Sequence, residues 1–160
     1  MKIKAPIVYQ IDVVQLRKNQ QETFDVQTSE EVMNVVEREC VGDIVVYVDA
    51  KSFYFERGGH WVSFGEFIIW SNGQRATLRI NEHQSFVAFS KSSQSECEDA
   101  VWFLDEEPTS VWKFEQTSSP NVSKFSVPFN ETFSLGQAME VLKFWLPNQE
   151  KFPLLEWRFA

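Results

Sequence analysis

Residues 66–80 read EFIIWSNGQRATLRI. Two apolar runs flank Asn72-Gly73, and Asn-Gly between such runs is the strongest short-range hairpin signal, because the turn needs positive φ angles that Asn and Gly adopt most cheaply. On the return strand, Ala76, Leu78 and Ile80 fall on one face and Arg75, Thr77 and Arg79 on the other. That period of two predicts a strand with one buried and one wet face, the mark of an antiparallel sheet rather than a fully covered parallel one.

Upstream of the hairpin, Ile44-Val45-Val46-Tyr47-Val48 is a β-branched strand and Phe53-Tyr54-Phe55 a second, with Gly58-Gly59 as a turn. Thr28 with Glu31 three residues later fits a capping box, and Val32, Val35, Val36 and Cys40 follow at helical spacing. This predicts a helix at about 29–41, ended by Gly42. Before it, Arg17 to Gln27 reads as a polar loop anchored by Phe24 and Val26, and residues 3–16 as one strand or two short ones.

Downstream, Ser85 to Ser90 continues the meander and Lys91 to Asp99 is a polar loop. Ala100–Leu104 and Val111–Glu115 are strand candidates separated by Asp105-Glu106-Glu107-Pro108, and Thr117–Ser123 is a loop. Pro128 confines Phe125–Pro128 to an edge strand or to no strand. Ser134 with Gln137 caps a helix at 134–146 whose apolar face is Leu135, Ala138, Met139, Leu142, Trp145 and Leu146, with Pro147 as its stop. Leu154–Phe159 is a terminal strand. The order predicts an α+β chain: one domain over residues 1–160, a twisted, mostly antiparallel sheet with both helices packed on one face.

With 160 residues the chain can bury a full core, and its 15 Phe, 6 Trp and 3 Tyr demand a core or a partner, which excludes general disorder. Fifteen Lys and Arg stand against 23 Asp and Glu, a formal charge of −8. Phosphate binding needs clustered cations, and the longest basic cluster is Arg17-Lys18. Nucleic acid and anionic membrane surfaces are therefore not expected partners, whereas a basic protein is. No apolar run is long enough to span a bilayer, and Pro6, Gln10 and Asp12 interrupt the first segment. It does not read as a signal peptide, so a cytoplasmic location is expected. Cys40 and Cys97 then read as reduced thiols, although one disulfide is open to them.

Motifs for chemistry are sparse. His60 and His83 belong to no metal-ligand spacing, and the two Cys form no C-x-x-C. There is no G-x-S-x-G, P-loop or G-x-G-x-x-G. Cys40 sits on the apolar helix face as a structural thiol, and a Cys-His pairing with His60 would require the fold to bring the two together. No catalytic residue, cofactor site or metal site is nominated. His60 lies in Arg57-Gly58-Gly59-His60-Trp61, where the ordinary reading is an exposed turn histidine and the sharper one a contact residue.

Acidic residues cluster instead. Residues 81–160 carry 12 acids against 6 bases, and residues 1–80 carry 11 against 9. Glu96, Glu98, Asp99, Asp105, Glu106 and Glu107 stand together without Lys or Arg, around Trp102. Acids steer a basic partner and aromatics anchor it. The ordinary reading is a solvated loop with Trp102 in the core.

The capped helix from Ser29, the strand after it, the hairpin FIIWSNGQRATLRI, the strand NEHQSFVAFS, the helix SLGQAMEVLKFWL and the Trp strand LLEWRF together resemble the immunity proteins of bacterial polymorphic toxin and contact-dependent growth inhibition systems, in particular the first numbered immunity family. The likeness covers about residues 29–90 and 130–159, and the segment 91–129 is longer than that family leads one to expect. The resemblance implies a non-enzymatic inhibitor that neutralises a basic toxin domain, commonly a nuclease or nucleic-acid deaminase, by salt-sensitive one-to-one binding. Glu96, Glu98, Asp99, Trp102, Asp105, Glu106 and Glu107 would then face the toxin, with His60 and Trp61 as a further contact. Two other classes stand beside it: a small-molecule-binding or enzymatic α+β domain with an aromatic pocket between sheet and helix, and a secretion chaperone or adaptor.

Overall fold

In the computed structural model, residues 6–18, 20–54, 58–90, 111–115 and 124–160 are described, with backbone alone at 111–115 and 124–126. The central element is a pair of long antiparallel strands, β3 (Asp43–Tyr54) and β4 (His60–Asn72), flanked by β1 (Val8–Gln15) and β2 (Gln20–Val26) on one side and β5 (Arg75–Asn81), β6 (Ser85–Phe89) and β10 (Glu156–Phe159) on the other. The sheet order is β10-β6-β5-β4-β3-β1-β2, and the short β9 (Phe133–Ser134) pairs with the start of β5. Every pairing is antiparallel. β7 (Val111–Glu115) and β8 (Lys124–Pro128) form a separate two-stranded ribbon with Pro128 at its end.

Alternation decides which face is buried. Ile44, Val46, Val48 and Ala50 of β3 point the same way as Tyr9, Ile11 and Val13 of β1, Phe67 and Ile69 of β4, and Ala76, Leu78 and Ile80 of β5. Both helices cover that face: α1 (Ser29–Glu39) contributes Val32, Val35 and Val36, and α2 (Leu135–Asn148) contributes Ala138, Val141, Leu142, Trp145 and Leu146. Burying each such large side chain stabilises the fold by about 1.5–3 kcal/mol, so this layer dominates stability. The expected α+β single domain, with both helices on one face, is the observed one.

The helix starts follow their caps. Thr28 Oγ1 accepts from the Glu31 amide at 3.1 Å, and Ser134 and Gln137 form a reciprocal capping box. The helix ends differ from expectation. α1 stops at Glu39 with Cys40 as its C-cap, two residues early, and leaves Val41 exposed before Gly42 at φ +84°. Pro147 does not stop α2, because a proline in the last turn removes only one late hydrogen bond; the helix ends at Asn148, and Gln149 caps it in the left-handed conformation. Tyr9 Oη donates to the Leu146 carbonyl at 2.7 Å, satisfying an end that helices leave open.

Three strand expectations are corrected. Residues 20–26 form strand β2 rather than a loop: Phe24 and Val26 do pack on the core, but at period two, and the polar remainder suits an edge wet on its outer side. β3 is one continuous strand rather than two. β4 begins at His60, so His60 pairs with Tyr54 inside the ladder rather than sitting in a turn. At the tip, Gly59 has φ +87° and a Cβ there would lie 2.5 Å from Phe53 Cζ. The Asn72-Gly73 hairpin is present, but of the two residues Gly73 alone takes a positive φ, at +89°; Asn72 stays in the ladder opposite Asp43 and holds the turn through Oδ1, which accepts from the amides of Gln74 and Arg75 at 2.9 and 2.8 Å. The candidate strand at 100–104 lies outside the described residues.

The β3–β4 register slips once. Ala50 pairs with Gly65 but Lys51 pairs with Ser63, which leaves Phe64 as the extra residue of a β-bulge. Gly65 takes φ +143°, and a Cβ there would stand 3.3 Å from the Asn81 carbonyl and 3.5 Å from Trp145. Gly65→Ala should therefore destabilise by about 1–3 kcal/mol. Gly136→Ala in α2, whose Cβ would meet nothing closer than 4.0 Å, should be neutral or stabilising. Thermal melting of the two variants checks this, and equal effects would contradict the strain assigned to Gly65.

Candidate functional site

The face of the sheet opposite the helices carries the charge. Register places Asp12, Tyr47, Ile68, Arg79 and Val87 in one row across five strands. The adjoining row holds Asp25, Gln10, Asp49, Glu66, Asn81 and Ser85. Asp49 and Glu66 are directly opposed cross-strand partners, and like charges so placed destabilise a sheet. Neighbours moderate the conflict: Ser63 Oγ donates to Asp49 Oδ1 at 2.6 Å, and Asn81 Nδ2 to Glu66 Oε1 at 3.3 Å. Burial, and then the charges of Asp49 and Asp12, hold the Glu66 carboxyl above the usual glutamate range despite the Asn81 hydrogen bond. Burial and the same Glu66 and Asp12 charges also raise the Tyr47 hydroxyl, against the opposing pull of Arg79.

A hollow of about 500 Å³ opens over this pair, lined by Asp49, Ser63, Gly65, Glu66, Asn81 and His83 among others. Beside it, a second hollow of about 450 Å³ is lined by Val8, Gln10, Asp25, Lys51 and Trp61 among others. Lys51 Nζ donates to Gln10 Oε1 at 2.5 Å and stands 5.1 Å from the Trp61 ring centroid. Trp61 is 57% exposed and meets Phe53 edge-on at 5.2 Å.

The bulge brings these parts together. In β4 the odd-numbered residues 65, 67, 69 and 71 face the helices. The extra residue Phe64 reverses that parity, so Ser63 and Trp61 stand beside Lys51 and Phe53 on the open face. Of the two contact residues expected from the hairpin tip, Trp61 therefore joins the acidic face. His60 points to the other side, stacked on Tyr54 at 5.8 Å. Glu96, Glu98, Asp99, Trp102, Asp105, Glu106 and Glu107 lie outside the described residues. Asp49, Glu66 and Asn81 went unnoticed in the sequence. Their one signal is a charged side chain inside a β-branched run, as in Val48-Asp49-Ala50, and it acquires meaning only with the register.

Other chemistry finds no support in the geometry. Cys40 is a free, buried thiol that burial pushes up to about 11, against a hydrogen bond with Ser71. It lies by Ser71 near one end of β4, while His60 begins the other, roughly 35 Å away at strand rise. The two do not form a pair. Among the described residues no three His, Cys, Asp or Glu side chains are placed to hold a metal ion, and no helix is long and apolar enough to cross a membrane. Between sheet and helices, where an aromatic pocket was one expectation, Trp145, Phe67 and Phe133 are each no more than 1% exposed.

The chain matches no protein-family model and no curated protein.

A carboxyl with a higher pKa folded than unfolded costs stability once ionised. That cost is absent below the ordinary glutamate value of about 4.3 and grows as pH rises through the folded value. Glu66→Gln, which keeps an acceptor for Asn81, should therefore raise the melting temperature at neutral pH, with the gain vanishing toward about pH 4. A melting series across that range checks this; an unchanged or lowered value at neutral pH would contradict the opposed pair as a source of strain.

Proposed function

We propose that this protein is an immunity protein that binds and neutralises a basic toxin domain, of the nuclease or nucleic-acid deaminase kind, in the cytoplasm of the bacterium that makes both. It acts as a one-to-one protein inhibitor and not as an enzyme. The observation that carries this reading is the Asp49–Glu66 pair beside the exposed Trp61. A sheet that opposes two acids and leaves a tryptophan uncovered gives up stability at that place, and proteins break such local rules mainly at functional sites. An arginine or lysine from a partner, seated in the hollow over the pair, removes the conflict. Trp61 beside it supplies the large apolar anchor that binding hot spots favour.

The whole-chain charge of −8 works in the same direction, because it steers a cationic partner toward this protein. The acidic run of Glu96, Glu98, Asp99, Asp105, Glu106 and Glu107 adds to that field. The resemblance of the element order to that of immunity proteins is what supports a toxin as the partner.

The test is co-purification with the tagged domain encoded immediately upstream, then titration at low and high salt. One-to-one binding that weakens as salt rises is expected. Trp61→Ala should weaken it by roughly thirtyfold or more while lowering the melting temperature only slightly, since the side chain is 57% exposed and loses little beyond its contacts with Phe53 and Lys51. Failure of the wild-type pair to bind would overturn the immunity reading. Full binding by Trp61→Ala would move the interface to another face.

A further inference from the structure

A third hollow, of about 230 Å³, lies on the open face toward β10 and is lined by Thr77, Arg79, Val87, Val127, Glu131 and Arg158 among others. Register sets Arg79 and Arg158 on either side of Val87, each its cross-strand neighbour. Their Cα atoms are therefore about 10 Å apart, two strand spacings, and side chains as long as arginine's can close on one anion between them. Val127, from the end of β8, supplies a further wall, and both valines are buried. That wall is tied to the sheet. The Ser90 amide donates to the Asn130 carbonyl at 2.8 Å, and the Arg75 guanidinium lies 4.3 Å from the Phe129 ring centroid. Arg158 Nε donates to Glu131 Oε1 at 2.6 Å. The hollow is thus held open by contacts on the strand side and the ribbon side alike.

The two arginines differ in what they have left to give. Arg158 serves Glu131 through Nε and Nη2 and the Phe159 carbonyl through Nη1. Arg79 is exposed, and among the described residues no carboxylate stands within ion-pair distance of its guanidinium. Two guanidiniums against the one Glu131 carboxylate leave a single positive charge over in the hollow. We propose that this hollow binds a small carboxylate with an apolar tail. The planar fork of Arg79 matches a carboxylate side-on with two hydrogen bonds, which a point charge cannot do. The Thr77 hydroxyl adds a donor beside it, and Val87 and Val127 cover the tail. A dianion such as phosphate fits less well, because the Glu131 carboxylate lines the same hollow and repels it. The chain's charge of −8 opposes free anions, so the affinity has to come from the hollow itself and not from the field around the protein. The site does not rest on the immunity reading: it uses other residues and leaves Asp49, Glu66 and Trp61 uncovered.

Amide chemical shifts of the full chain, followed by NMR while sodium hexanoate is added, test this. Saturable shifts centred on Thr77, Arg79, Val87, Val127 and Arg158 are expected, with a Kd on the order of 1 mM for so small a ligand. Hexanamide, which keeps the shape and loses the charge, should bind at least tenfold more weakly, and so should inorganic phosphate. Arg79→Gln should weaken hexanoate binding by about tenfold or more. Lys18→Gln removes the same charge from an exposed position elsewhere and should leave binding unchanged. Acetyl-leucine presents the same chemistry as the end of a peptide, and whichever of it and hexanoate binds more tightly names the source as a chain terminus or a free acid. Absence of saturable shifts with both acids would overturn the proposal. So would hexanoate binding that Arg79→Gln leaves intact, or hexanamide or phosphate binding as tightly as hexanoate.

Discussion

The structure depends on parity along β3 and β4. Ile44, Val46, Val48 and Ala50 must face α1 and α2, because that layer holds most of the burial. Once they do, Tyr47, Asp49 and Lys51 have to face the other way, and so do their partners Ile68 and Glu66 across the ladder. The acidic face is thus a consequence of where the core must be. The bulge at Phe64 is the single exception to the parity, and it turns Trp61 and Ser63 to the acidic side. Gly65 makes the bulge feasible, since only a glycine accepts its φ of +143° against the Asn81 carbonyl.

The same constraint separates stability from function. On the helix side the central strands and the inner faces of both helices pack large apolar side chains out of water, and Tyr9 serves a helix end there by donating to the Leu146 carbonyl. On the open side two acids oppose each other, a carboxyl sits above its usual range, and a tryptophan stands in water. Ser63 and Asn81 offset part of the conflict but do not remove it. Such an arrangement gains when a cation arrives, which is what the proposed recognition of a basic partner draws on.

Much of the fold was legible because local chemistry and global packing agree. Asn72-Gly73 marks a hairpin, Ser134 with Gln137 marks a helix start, and the alternation of Ala76, Leu78 and Ile80 marks the buried face. The misreadings have physical reasons. β2 is polar because an edge strand is solvated, so its residues imitate a loop. His60 follows two glycines but still lies in a ladder, since its pairing with Tyr54 carries the strand back to the residue next to them. Pro147 is compatible with a last helical turn. The candidate site was the least legible part. Asp49 and Glu66 are 17 positions apart in sequence, and their opposition follows from register, while the side on which Trp61 stands follows from one inserted residue. Neither leaves a local pattern.

The most direct measurement is amide hydrogen exchange on the chain alone and in complex with the upstream-encoded domain. Slowed exchange confined to residues 49–54 and 60–66, with the α1 and α2 amides unchanged, is the expected result. Slowing centred on α1 or α2, with the β3–β4 end unaffected, would contradict the acidic face as the place where this protein meets its partner.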